Sequence, residues 1–104
     1  HKHLKKSETI LILSGHCDYF IFSETGEIDR QITLRPYNEG GNFIFRLGEP
    51  LYHSLLIHSE QLVFFEITKG PFQKEDTKIA PWAPDSNSTE EIRKFHKRLA
   101  LRGA

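Results

Sequence analysis

The 104-residue chain has no methionine and one cysteine, and its 14 lysines and arginines are balanced by 14 aspartates and glutamates. Each shortage excludes something. The lone Cys17 cannot close an intrachain disulfide, which fits a reducing, cytoplasmic setting better than a secreted one. A net charge of zero argues against a general nucleic-acid binder, whose contact face carries a basic surplus. It also argues against an electrostatic membrane anchor. No apolar run approaches the roughly 18 residues needed to span a bilayer, and no signal-peptide pattern is present. Internal repeats and low-complexity tracts are missing too. What is present is six histidines, eight phenylalanines, three tyrosines and a single tryptophan. The length suits one domain.

The chain reads as a series of strands. "ETILILSG" is a β-branched apolar run, a strand over Thr9 to Leu13 that turns near Gly15. "CDYFIFSETGEIDRQITL" reads as a hairpin with arms "DYFIF" and "IDRQITL", and Gly26 in its turn is suited to a positive φ. "RPYNEGGN" is a loop. "NFIFRLG", "EPLYHSLLIHSE" and "QLVFFEIT" are three further strands. Turn signals every ten or so residues predict an all-β sandwich or barrel. "ILIL" and "LVFFEI" are apolar on both faces, so one face is expected to fill the interior and the other to meet a sheet, a helix or a partner subunit. "APWAPDSNS" is an irregular crossing. Ser88 then caps a helix, with Glu91 completing a capping box, and Ile92, Phe95 and Leu99 form its apolar stripe. The organisation expected is a β-barrel over 1–84 and a C-terminal segment over 85–104, with a helix at about 89–102.

The histidines carry the chemistry. Residues two apart on a strand face the same way, so His1 and His3 point together with Lys2 opposite. Two imidazoles on one face can chelate a divalent metal. Glu8 joins them only if "LKKS" turns the chain. His53 lies in the later strand, sharing a face with Leu55 and Ile57.

These residues resemble the first motif of the cupin family: a histidine pair one residue apart, three or four residues, a glutamate, six residues and a glycine. Here it is His1-Lys2-His3, "LKKS", Glu8, "TILILS", Gly15. "LGEPLYHSLLI" is similar to the second motif at His53, although Gly48 and Pro50 come in a different order and Ile57 replaces the usual asparagine. "HKHLKKSET", "YHSL", "FFEITKGPF" and "APWAP" resemble, in order, segments of the WbuC-like cupins up to about Pro84. The resemblance implies a cupin double-stranded β-helix, a jelly-roll barrel, with a C-terminal helix. It implies one divalent metal (iron, zinc, manganese, nickel or cobalt) held by His1, His3, Glu8 and His53. It also points to a small-molecule ligand related to sugars, from bacterial surface-polysaccharide metabolism, and to a homodimer. Metal-dependent isomerase or epimerase chemistry, dioxygenase-type chemistry and non-catalytic binding of a carbohydrate or acid all stay open. A full barrel needs strands upstream, so the natural protein is expected to extend before His1.

Other candidates are weaker signals. Glu66 interrupts "LVFFEIT", either as an inward group that handles protons or at the strand's exposed end. Tyr52, Arg46 and Lys69 are the candidate substrate-binding residues. Tyr19 and Tyr37 are candidates for a pocket or for packing. His16 is expected in solvent, His58 at the surface or partly buried, His96 in a structural role on the helix, and Cys17 as an apolar filler. Trp82 is expected to cover apolar surface or a subunit contact.

Overall fold

The computed structural model describes residues 1–3, 7–68 and 77–103, with backbone alone for His3 and Arg102. Its strands are β1 (Lys2–His3), β2 (Glu8–Ser14), β3 (Cys17–Phe22), β4 (Ile28–Leu34), β5 (Ile44–Leu47), β6 (Tyr52–Ile57), β7 (Val63–Thr68) and β8 (Thr77–Lys78). A 3₁₀ turn spans Tyr37–Glu39, and the single helix, α1, spans Thr89–Gly103. The expected strands and helix are all present. The two-residue strands β1 and β8, which pair with each other, are too short to carry a period and are not apparent in the sequence.

Two antiparallel three-stranded sheets form the body, in orders β5-β2-β7 and β4-β3-β6. The protein is therefore mostly β with one C-terminal helix. Among the described residues the sheets are open and do not close into a barrel.

Alternation along the strands builds the core between the sheets. Ile10 and Ile12 of β2, Leu47 of β5, Cys17, Tyr19 and Ile21 of β3, and Leu34 of β4 form one buried cluster. The even-numbered positions of β3 point the other way, and the whole strand is buried. There Phe20 and Phe22 pack with Tyr52, Ala80 and Leu99, and with the half-buried Trp82 and Phe95. So β3 is apolar on both sides because α1 and the Ala80–Ala83 crossing cover the outer face of its sheet. The outer face of the β5-β2-β7 sheet is different. Leu13, Ile44, Val63, Phe65 and Ile67 are all exposed there.

Local signals act where they were expected. The β3–β4 hairpin turns through Gly26 at φ +94°, closed by Ser23 N–H to Glu27 O at 2.8 Å and Gly26 N–H to Ser23 O at 3.1 Å. Ser88 Oγ accepts the Glu91 amide at 3.3 Å, which caps α1. The reciprocal half of the capping box is not made. Glu91 Oε2 reaches past Ser88 and takes the Asp85 amide at 2.8 Å.

Candidate functional site

A cavity of about 900 Å³ opens between the edges of β6 and β7 and continues beneath α1. Its position follows from register. Glu66 pairs with Ile10 and Thr68 with Glu8, so Phe64, Glu66 and Thr68 share the inward side of β7 with the core residues of β2. On β6, His53 pairs with Ile21 and Leu55 with Tyr19, which turns both inward. Ser54 faces the opposite side and also lines the cavity, as does Phe22. The cavity thus wraps around the edge of β6 that faces away from β3.

Of the residues singled out from sequence, His1, Glu8, His53, Glu66 and Tyr19 all line this space. The His3 side chain, Lys69 and the "LKK" of the expected turn lie outside what is described. Tyr52 does not line the cavity. It faces outward from β6, 2 % exposed, with the Trp82 ring at 5.6 Å and Lys2 Nζ 4.5 Å above its own ring. Arg46 pairs with Thr9 and so lies on the outer face of its sheet, away from the cavity. Tyr37 is exposed.

His53 is the best-fixed polar group in the site. Its Nδ1 is 2.9 Å from the Leu51 carbonyl oxygen. A carbonyl only accepts, so Nδ1 carries the hydrogen and the ring is held in one tautomer. Nε2 then turns toward the Glu8 carboxylate, 2.9 Å from Oε2. A lone pair facing a carboxylate needs a cation between them, either a proton or a metal ion. The spacing suits both. Ligand bonds of about 2.0–2.1 Å at right angles put two donors about 2.9 Å apart. His1 adds its ring edge-on to His53, with centroids 4.7 Å apart, and its carbonyl takes the His53 amide at 3.0 Å. Tyr19 stacks on His53, centroids 5.5 Å apart and planes 6° from parallel.

Burial raises the Tyr19 hydroxyl above its ordinary pKa, and the Glu8 and Glu66 carboxylates add to the effect. Tyr19 therefore stays a neutral O–H donor, and both carboxylates are close enough to be felt by it. Of the expected donor set, His53 and Glu8 are in contact and the His1 ring lies beside them. Among the described residues, however, no group of three histidine, cysteine, aspartate or glutamate side chains is placed to hold one.

Several wall residues gave no functional signal in the sequence. Ile79, Trp82, Pro84, Ile92 and Phe95 form an apolar wall under α1, and His96, expected to be structural, is also at the lining. Only chain reversal through "APWAP" brings this wall to the site. A second polar cluster lies at the other end of the sheet. Buried Asp18 accepts bonds from Gln31 Nε2 at 3.1 Å, Thr33 Oγ1 at 2.7 Å and His58 Nε2 at 2.8 Å. His16, half-buried and not free in solvent, stacks on His58 at 5.7 Å.

No helix among the described residues is long and apolar enough to cross a membrane. No protein-family profile, curated protein or solved structure matches the chain.

Proposed function

We propose that this chain is a cupin-type metalloprotein of the WbuC-like kind, its β-rich body part of a jelly-roll barrel. In this reading His1, His3, Glu8 and His53 hold one divalent ion: iron, zinc, manganese, nickel or cobalt. Its ligand is a small polar molecule, such as a sugar or sugar nucleotide of bacterial surface-polysaccharide metabolism. The observation that carries the proposal is the His53–Glu8 pair. Nε2 and Oε2 stand 2.9 Å apart, with the ring tautomer fixed from behind by Leu51, at the polar end of a cavity. A divalent ion held there would supply Lewis acidity. In this reading Glu66 takes a proton from a ligand hydroxyl, and Tyr19 donates a hydrogen bond to the ligand.

The open activity classes are isomerase or epimerase chemistry and dioxygenase-type chemistry, with non-catalytic binding as the alternative. A second reading has an observation of its own. Because no three-donor group forms among the described residues, the His53–Glu8 pair can share a proton and bind a polar ligand without metal. Untagged protein and a His53→Ala variant, analysed for bound metal by plasma mass spectrometry, decide between the two readings. About one equivalent of metal in the wild type and a loss of most of it in the variant is the expected result. Equal metal content, or none in either, overturns the metal reading.

We also keep the homodimer as a proposal. The exposed side chains of Leu13, Ile44, Val63, Phe65 and Ile67 form one outer sheet face, of the kind that soluble monomers rarely leave bare. Light scattering giving the mass of a monomer would remove it. A cytoplasmic location is supported by the unpaired Cys17.

A further inference from the structure

Lys2 stands between the two histidines of "HKH", on a strand only two residues long. It is 8 % exposed, a burial that a lysine tolerates only when its charge is met. Two groups meet it. Its Nζ lies 2.7 Å from Glu24 Oε1 and 4.5 Å from the centre of the Tyr52 ring. Glu24 belongs to the β3–β4 turn, and Tyr52 is the first residue of β6. A wholly exposed ion pair would hold little, but here the ammonium is shielded and an aromatic face lies beneath it.

These contacts set β1 against β6. Tyr52 faces outward from β6, so Lys2 grips the outer side of that strand. On the inner side the His1 ring meets the His53 ring, centroids 4.7 Å apart. Between the two sides the His53 amide donates to His1 O at 3.0 Å. Adjacent residues of the N-terminal segment thus hold adjacent residues of β6, Lys2 with Tyr52 and His1 with His53. Backbone pairing alone fixes β1 weakly, because its ladder partner β8 is also two residues long.

The turn that supplies Glu24 is itself tied down. Glu24 O takes the Trp82 indole N–H at 2.9 Å, and Gly26 O takes the Arg98 guanidinium at 2.6 Å. Across the turn, Ser23 N–H donates to Glu27 O at 2.8 Å. A carboxylate carried on this turn is a fixed post for the Lys2 ammonium.

We infer that Lys2 is a positioning residue: its ion pair with Glu24, seated on the Tyr52 ring, sets β1 against β6 and so places the His1 ring beside His53. Tyr52 then acts on the site from outside the cavity, through Lys2. The consequence for a metal rests on the function proposed above, while the ring placement stands without it.

Wild type is compared with Lys2→Met, Glu24→Gln and Lys2→Arg. Methionine keeps an unbranched stem and removes the charge. Glutamine replaces an exposed side chain and leaves the backbone carbonyl that holds Trp82, so emission from the single tryptophan is expected to stay unchanged. Arginine keeps both the charge and the affinity for an aromatic face. Nuclear magnetic resonance cross-peaks between the His1 and His53 rings, recorded without metal, are expected in wild type and Lys2→Arg and lost in Lys2→Met and Glu24→Gln. Zinc affinity by calorimetric titration should fall about tenfold in the same two variants and be restored in Lys2→Arg. Cross-peaks that persist in Lys2→Met and Glu24→Gln, or that are missing from wild type, overturn the assignment. Equal losses in Lys2→Arg and Lys2→Met also overturn it, because the effect would then come from packing and not from the ion pair. Zinc bound alike by every variant overturns it too. The expected pattern of cross-peaks in a wild type that binds no zinc supports the assignment and refutes only the metal reading.

Discussion

Replacing Gly26 by alanine tests how the cavity wall is held. Gly26 sits in the β3–β4 turn at φ +94°, where an L side chain costs about 1–2 kcal/mol. A Cβ there would also fall 2.8 Å from Trp82 Cδ2 and 3.0 Å from Cγ. The indole has no easy escape, because its N–H is bonded to Glu24 O and its neighbours Phe22 and Tyr52 are both 2 % exposed. Overpacking of this kind adds about 1–3 kcal/mol. Gly40 is the internal control. Its φ is +79°, and a Cβ there meets nothing within 4 Å. Gly40→Ala should therefore cost only the backbone contribution, about 1–3 kcal/mol at φ +79° and ψ 170°, with no effect on the indole. Gly26→Ala should cost about 3 kcal/mol, which for a domain of this size lowers Tm by about 12–24 °C. Thermal melts followed by circular dichroism measure both variants, and Trp82 emission is expected to shift in Gly26→Ala alone. Unchanged emission in Gly26→Ala, or the same emission shift in Gly40→Ala, would refute the reasoning that this glycine exists to let the indole close on the turn.

Other outcomes follow from the second polar cluster and the core. Burial pushes the Asp18 carboxyl up, but the bonds from His58, Thr33 and Gln31 outweigh it and hold the group below 3.8. A depressed native value means that this stabilisation is complete above pH 3.8 and is lost as pH falls through the lower native value. Asp18→Asn should therefore cost about 1.5–3 kcal/mol in urea unfolding at pH 7, with the gap to wild type closing below pH 3.8; a gap constant with pH would contradict it. Cys17 is 0 % exposed, and burial, aided by the Asp18 charge, pushes its thiol up to about 11. A disulfide reagent at pH 8 should label it only on unfolding, and rapid labelling of the native protein would show the core to be open.

The strands themselves were legible because side-chain period is a local property. The runs of β2, β3, β6 and β7 announced themselves through β-branched and aromatic residues, and Gly26 and Ser88 through the backbone geometry that their positions require. Facing was less legible. Both faces of β6 carry apolar residues, so alternation separates Tyr52 from His53 without saying which of them turns inward. Pairing with β3 decides it: His53 lies opposite Ile21, on the core side, and Tyr52 opposite Phe22, on the helix side. Arg46 is outward for the same kind of reason, since its partner Thr9 shares the outer face. Asp18 gave no signal at all. Its partners Gln31, Thr33 and His58 lie 13, 15 and 40 residues away in the chain.

The opening "HKHLKKSE" and the distant His53 could be linked from sequence only by resemblance. Tertiary structure placed Glu8 2.9 Å from His53 and set the His1 ring against it. By itself the sequence determined which segments are strands, where the hairpin turns and where the helix is capped, because each of these is fixed by residues within a few positions of one another. Only the tertiary structure decided that two carboxylates and two histidines share one end of a cavity and that Trp82 and Phe95 wall the other. Those neighbours are joined by sheet register and by the return of α1 across β3, and neither leaves a mark on local periodicity.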